Sequence, residues 1–334
     1  MPISPLCAAD TRSGRRMRAL ITGAAGFAGR HLAMHLARQG DEVFGLTRAT
    51  APPIAGLAAD HLLHAEIADG AAVAQAVAAA RPAVLFHLAG LTFVPRSHDD
   101  PTAAVRTNVL GTIAVLAGVR QQAPRCRVVV VGSGDAYGRI EPAELPITES
   151  CCWRPLSPYA ASKAAADLVA YQWGQAYGLD IVRLRPFNHT GPGQRPDFVC
   201  ADFARQLIAI ERGLRPARLT VGNLEAVRDF SDVRDIVAGY ELAARQGVSG
   251  EAYNLCSGVG RPIRAILDEL IELSGVRVEV TVAADKLRPV EVPRVVGSAE
   301  KLHAATGWRV AIPWQQTLAD LLADWRARPA AQLS

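Results

Sequence analysis

Lysine is nearly missing from this chain. Of its 36 basic residues only three are lysines (Lys163, Lys286 and Lys301), which leaves 33 arginines in 334 residues. Charge of one sign is not in excess either: 32 acidic residues bring the net charge down to +4, and the arginines are scattered. That excludes the basic stripe of a nucleic-acid-binding protein and leaves room for a phosphorylated small molecule, which a guanidinium grips with its fork of donors. No run approaches the roughly 20 apolar residues of a membrane helix, so no membrane partner is expected. The residues before Met17 carry Arg12, Arg15 and Arg16 but no apolar stretch, which excludes a secretory signal; residues 1–16 read as a disordered tail, or Met17 as the true start. The six cysteines, Cys7, Cys126, Cys151, Cys152, Cys200 and Cys256, lack metal-ligand spacing, so no metal site is expected. In a long chain without a signal they read as reduced thiols of a cytoplasmic protein. The adjacent Cys151 and Cys152 invite a redox role, but plain thiols are the simpler reading.

Against that scarcity, one of the three lysines stands four residues after a tyrosine, in Tyr159-Ala160-Ala161-Ser162-Lys163. On a helix, residues i and i+4 share a face one turn apart, so phenol and ammonium point the same way. A nearby cation favours the phenolate and lowers a tyrosine pKa that starts near ~10. The pair is therefore expected to act as a proton donor near neutral pH.

Half the residues are hydrophobic and a fifth are charged, a globular composition sufficient for one large or two modest domains. Through the first half, apolar runs at Arg18–Thr22, Glu42–Thr47, Val84–Leu88 and Arg127–Val131 read as short buried strands. Between them Ala28–Gln39, Ala71–Ala80 and Ala103–Arg120 read as helices; Tyr159–Tyr177 is another, followed by a strand at Asp180–Arg185. This alternation predicts an α/β fold, a Rossmann-type doubly wound parallel sheet with helices on both faces. After Pro186 proline, glycine and arginine become frequent and the elements shorten. A helix near Asp232–Arg245 and a strand near Ala252–Leu255 read as further pieces of the first domain. The expected division is 17–187 with 229–258 for dinucleotide binding, and 188–228 with 259–330 for a smaller, discontinuous α/β substrate-binding domain.

The motif Thr22-Gly23-Ala24-Ala25-Gly26-Phe27-Ala28-Gly29 follows the first strand and opens the first helix. Gly23, Gly26 and Gly29 permit a tight turn, close approach to a pyrophosphate and close helix–strand packing, with Phe27 beside the ligand. The second strand ends Gly45-Leu46-Thr47-Arg48 without the carboxylate that usually binds an NAD ribose, so Arg48 points to NADP(H), with NAD(H) as the alternative. Glu66 and Ile67, in Glu66-Ile67-Ala68-Asp69, lie where an adenine could be met, though a plain surface turn reads nearly as well. His87-Leu88-Ala89-Gly90 closes a strand at the ligand edge of the sheet, with Leu88 and Ala89 as cofactor contacts and His87 as a packed side chain. Ser133, in Gly132-Ser133-Gly134-Asp135-Ala136-Tyr137-Gly138, sits at the same edge, either as a turn residue or against a substrate oxygen.

The glycine motif, Ser133 and the Tyr159/Lys163 pair, in this order and spacing, resemble the extended short-chain dehydrogenase/reductase family, over nearly the whole chain from Met17. The segments Arg185–Pro192, Val221–Phe230 and Arg288–Pro293 are similar to its GDP-mannose-modifying branch. The resemblance implies NADPH-dependent reduction of the C4 ketone of a GDP-linked 6-deoxyhexose. Tyr159 would protonate the developing alkoxide, Ser133 would hydrogen-bond it, and Lys163 would tune Tyr159 and hold the nicotinamide ribose. Asn108 matches a helix-bending, proton-relaying asparagine, though a helix cap is also open. Asn188, Arg228, Arg288 and Glu291 match positions that hold the GDP-sugar, Arg228 as the clamp on its diphosphate. Asp135 stands where dehydrating members place a glutamate, which keeps a 4,6-dehydratase or epimerase as the alternative. Relatives of this kind pair as homodimers through the two long helices beside the site.

Overall fold

The computed structural model describes residues 16–48, 51–283 and 292–333. Arg288 and Glu291 lie outside the described residues, as do the tail 1–15 and Cys7. β1 (Arg18–Thr22) leads through a glycine turn into α1 (Phe27–Arg38), then β2 (Glu42–Thr47), β3 (Leu62–His64), α2 (Gly70–Ala80) and β4 (Val84–His87). After α3 (Val94–Asp99) come α4 (Pro101–Val105), a π-helical turn (Arg106–Leu110) and α5 (Gly111–Gln122), then β5 (Arg127–Val131), α6 (Pro158–Tyr177) and β6 (Ile181–Pro186).

Seven strands form one sheet in the order β10-β6-β5-β4-β1-β2-β3, with every neighbouring pair parallel; β10 (Ala252–Leu255) is reached through α8 (Val233–Gln246). The expected doubly wound α/β sheet is thus present. Its strands are apolar on both faces because both are covered. Leu20, Leu85, Val128 and Val130 face Val73 and Val77 of α2 and Val115, Leu116 and Val119 of α5. Ile21, Phe86, Val129 and Leu184 face Leu32 and Leu36 of α1 and Ile236, Val237 and Tyr240 of α8. Each such side chain contributes about 1.5–3 kcal/mol by leaving water. The chain fills the sheet outward from β1 through β2 to β3, then returns to β4 and runs the other way. The carboxyl ends of β1 and β4 therefore flank the crevice where open α/β sheets take their ligands.

Beyond β6 the remaining elements are β7 (Asn188–Thr190), α7 (Val199–Glu211), β8 (Arg218–Val221), β9 (Val227–Asp232), β11 (Gly260–Pro262), α9 (Ile263–Ser274), β12 (Glu279–Val282), β13 (Arg294–Val295), α10 (Glu300–Thr306) and α11 (Trp314–Ala327). β9 pairs with β7, β11 and β13 in a second sheet, and β8 pairs with β12. A separate core of Leu207, Ile208, Leu219, Ile266, Leu267, Leu318 and Leu321 joins α7, α9 and α11. Residues 229–232, grouped by sequence with the first unit, hydrogen-bond in this second sheet: β9 is one continuous strand from 227, and only α8 after it returns to the large sheet.

The stretch Pro101–Gln122 also departs from the reading of a single helix over 103–120. It is 22 residues long and apolar enough to match a membrane span by length and composition, but half of it is buried inside the protein. It packs against α2 and α6.

Candidate active site

The turn after β1 is built around backbone contact. Gly23 has φ +70°, and a Cβ there would stand 2.8 Å from the backbone N and Cα of Ala89. A Cβ on Gly29 would overlap the Gly23 carbonyl, and one on Gly26 would lie 3.1 Å from it. α1 starts at Phe27 with no side-chain cap and no acidic residue in its first turn. Its leading N–H groups and the positive end of its dipole thus carry no competing carboxylate, as an anion-binding terminus requires. The cradle fits a dinucleotide pyrophosphate. Arg48 is exposed directly after β2, as is Glu66 after β3. Asp69 caps α2, accepting from Ala71 and Ala72 N–H at 3.1 Å, while Ile67 is buried against Gly111, where an added Cβ would stand 3.0 Å from it.

β4 is held to this turn by a buried chain of hydroxyls. Thr112 donates to the Asn108 carbonyl at 2.6 Å, so its oxygen accepts from His87 Nε2 at 3.1 Å. His87 Nδ1 then accepts from Thr22, 2.8 Å away, and Thr22 Oγ1 accepts from Ala89 N–H at 3.2 Å. Leu88 N–H bonds the Thr22 carbonyl at 3.2 Å. Burial, with the Lys163 charge beside it, pushes the His87 pKa down to about 3. The ring is a neutral strut, as the sequence reading expected.

α6 starts at Pro158, with the Ser157 hydroxyl capping Ala160 N–H at 3.1 Å and Pro158 at a position whose N–H needs no partner. Tyr159 and Lys163 are both buried on its inner face, at 7% and 6% exposure. The Tyr159 N–H is held by Ser97 Oγ at 3.1 Å. Ser133 follows β5 and caps a tight turn, its hydroxyl accepting from Asp135 N–H at 3.1 Å. Burial and then the Asp135 carboxylate push the Tyr159 pKa up, more strongly than the hydrogen bond that the Ser133 hydroxyl donates to the phenol oxygen lowers it. The expectation of a lowered phenol pKa is therefore corrected. Lys163 does not bond the phenol: its ammonium donates to the Val131 carbonyl at 2.8 Å, and burial lowers its own pKa to about 8.

Asn108 lies in the π-helical turn, where Gly111 N–H bonds Arg106 O in place of the usual i−4 partner. Its amide accepts from Leu91 N–H at 2.8 Å and donates to Leu91 O at 3.2 Å and Ser162 Oγ at 2.8 Å. Ser162 passes the chain to the Tyr159 carbonyl at 2.8 Å. Asn108 is thus no helix cap. A Cβ on Gly90 would sit 2.9 Å from Asn108 Oδ1 and 3.4 Å from Lys163 Nζ, so the asparagine, the lysine and the loop after β4 meet at one point.

The second sheet adjoins through Phe187, which separates β6 from β7. Asn188 is half-buried at the start of β7 and pairs with Phe230, two residues along β9 from Arg228. Arg228 Nη1 donates to the carbonyl of Val227 at 2.9 Å and reaches that of Pro293 at 3.5 Å.

A family model described as GDP-mannose 4,6 dehydratase matches residues 20–321. The chain belongs to the GDP-mannose 4,6-dehydratase family. Within it, the chain is similar to GDP-6-deoxy-D-mannose reductase of Pseudomonas aeruginosa, 36% identical over 311 residues, 93% of this chain and 98% of that one. The structure of RMD from the same organism complexed with NADPH superposes with a TM-score of 0.83 at 34% identity, covering 93% of this chain and 99% of that chain. UDP-glucose 4-epimerase of Thermus thermophilus, complexed with NAD, gives 0.82 at 31% identity over 92% and 99%. Both solved structures share the fold described above, and this chain is an NAD(P)-dependent oxidoreductase of the nucleotide-sugar reductase and dehydratase group.

Ser133, Asp135, Tyr159 and Lys163 thus converge at the carboxyl edge of the sheet beside the glycine turn, while Asn188 and Arg228 share the neighbouring sheet. Ser97 and Ser162, which anchor the backbone of Tyr159, were not singled out from sequence. Ser162 carried a signal in its place one turn after Tyr159; Ser97 carried none, since only tertiary packing brings α3 to α6.

Proposed function

We propose that this enzyme reduces the C4 ketone of GDP-4-dehydro-6-deoxy-D-mannose to GDP-D-rhamnose, with NADPH as reductant. The observation that carries the reading is the burial of the Ser133 and Tyr159 hydroxyls together beside the glycine turn, where one oxygen of a bound sugar could meet both. The bound nicotinamide supplies the hydride. Tyr159 donates its proton to O4 as negative charge develops there, and Ser133 hydrogen-bonds the same oxygen. A buried phenol with a raised pKa stays protonated until that charge forms, and Lys163 keeps a cation beside the site. Arg48, in place of a carboxylate, and the NADPH complex of a similar reductase support NADP(H) over NAD(H). Gly23, Gly26, Phe27, Gly29, Ile67, Leu88 and Ala89 line the cofactor side. Asn188 and Arg228 hold the sugar diphosphate, with Arg288 and Glu291 as nucleoside contacts by resemblance. The unit around the large sheet takes the cofactor and the smaller unit the GDP-sugar. The free thiols among the described residues and the nucleotide-linked substrate suit a cytoplasmic enzyme, and the family resemblance implies a homodimer.

A second reading, 4,6-dehydration of GDP-mannose, is favoured by one observation: the Asp135 carboxylate stands close enough to Tyr159 to raise its pKa, so an acid is within reach of the sugar. Incubation with GDP-4-dehydro-6-deoxy-D-mannose and NADPH, followed by NMR of the product, tests the first reading. GDP-D-rhamnose supports it; GDP-6-deoxy-D-talose would reverse the face of reduction. Formation of a 4-keto sugar from GDP-mannose and NADP⁺ alone would favour dehydration.

A further inference from the structure

Beneath the two hydroxyls lies a buried cluster that the reaction itself does not use. Arg185, on β6, is 4% exposed. Its guanidinium grips Asp167 of α6 at both oxygens, Nε to Oδ2 at 2.9 Å and Nη2 to Oδ1 at 3.2 Å. From the other side its Nη1 donates to the Tyr137 hydroxyl at 2.9 Å and to the Glu149 carbonyl at 3.2 Å. Tyr137 passes its own proton to Asn254 Oδ1 at 2.7 Å, and burial keeps its phenol neutral, its pKa pushed up to about 12. The ring of Trp153 packs 4.7 Å from the same guanidinium. Arg183 adds a bond to Asp167 Oδ1 at 2.6 Å.

The two residues that Arg185 joins are placed to matter. Asp167 is one turn beyond Lys163 and two beyond Tyr159, on the same face of α6. Tyr137 closes the short turn that Ser133 opens. The ion pair also lies directly under the residue that precedes Ser133: a Cβ on Gly132 would sit 3.7 Å from Asp167 Oδ2 and 3.8 Å from Arg185 Cγ. A buried guanidinium with a fixed fork holds its partners in a plane, which an ammonium on a flexible stem cannot do.

We propose that Arg185 and Tyr137 are positioning residues that hold the Ser133 hydroxyl opposite the Tyr159 phenol, by tying the Ser133 turn and helix α6 to one buried guanidinium. This rests on the reading of Ser133 and Tyr159 as partners on one substrate oxygen. It predicts that loosening the link costs turnover through Ser133 and leaves binding alone, because both side chains are buried and engaged with protein partners.

Tyr137→Phe is the informative variant, since it keeps the ring packing and the Arg185–Asp167 pair and removes one hydroxyl. With GDP-4-dehydro-6-deoxy-D-mannose and NADPH, kcat is expected to fall about tenfold, as a displacement well under 1 Å would produce, with both KM values within about twofold. In a Ser133→Ala background the same change is expected to cost nothing further, the non-additivity of two residues acting through one contact. Arg185→Lys, which keeps the charge and loses the fork, should lower kcat more than Tyr137→Phe with the same KM pattern. An equal loss in both backgrounds, or no loss at all, would overturn the proposal. Absence of turnover in the unmodified enzyme would instead overturn the substrate assignment. The crystal structure of Tyr137→Phe then decides the positioning role without substrate: Ser133 displaced from Tyr159 supports it, and an unchanged contact overturns it.

Discussion

At Tyr159 a favourable hydrogen bond from Ser133 competes with burial and with Asp135, and burial wins. A phenol so placed is a reluctant acid in the free protein and releases its proton only to a strong base, which a developing alkoxide is. Tyr159→Phe should therefore lower kcat by roughly 10²-fold or more, the usual worth of a positioned general acid, while fluorescence titration gives an unchanged Kd for NADPH. Equal turnover by the variant would remove Tyr159 from the chemistry. Lys163 gives a separate, pH-dependent prediction. Its pKa is lowered to about 8 by burial, so the ammonium is present below that pH and lost above it. The free-enzyme parameter kcat/KM should accordingly decline as pH rises through about 8, since it reports ionisations in the unliganded protein. A profile that stays flat through that region would show that the charge on Lys163 is not required.

Among the elements, those readable from sequence are the ones whose fate is decided by burial alone. The strands Arg18–Thr22, Glu42–Thr47 and Arg127–Val131 are short apolar runs between turn residues, and burial on both faces gives them no other stable place. α1 and α6 were legible from their length and alanine content. The π-helical turn at Arg106–Leu110 was not, because nothing in a hydrophobic pattern encodes one inserted residue. It exists where Asn108 bonds Leu91 and Ser162, contacts made with segments 17 and 54 residues away. The same limit hid Ser97. Asn108→Ala removes the amide and leaves the Leu91 N–H and Ser162 hydroxyl without their partner. A loss of about 1–3 kcal/mol is expected for such buried groups, read as a lower urea midpoint at unchanged m. Because Ser162 supports the Tyr159 carbonyl, kcat should fall as well; a variant as stable and as active as the parent would show that the turn is held by packing alone.

For the whole molecule, the seven-stranded and four-stranded sheets share one chain that crosses between them at Phe187, again after Asp232 and once more after Leu255. That arrangement brings Asn188 and Arg228 onto paired strands, an outcome of strand pairing that composition could not foretell beyond the change of texture after Pro186. The outer surface carries a different kind of information. Val105 and Leu110, on the helical stretch before and within the π turn, are 48% and 49% exposed, and Leu168 and Tyr171 on the outer side of α6 are 56% and 45% exposed. These helices pack against each other, so the four exposed side chains stand on adjoining elements. A solvated face with that much apolar surface is stabilised when a second copy covers it, and a two-fold axis would set α5 and α6 against their own counterparts. Equilibrium sedimentation is expected to give a dimer. Leu110→Glu combined with Leu168→Glu places like charges across that axis, where juxtaposed charges oppose association. The double variant should sediment as a monomer while NADPH titrates it with the parent Kd, since both positions lie outside the cofactor cradle. A double variant that remains dimeric would place the contact on another face.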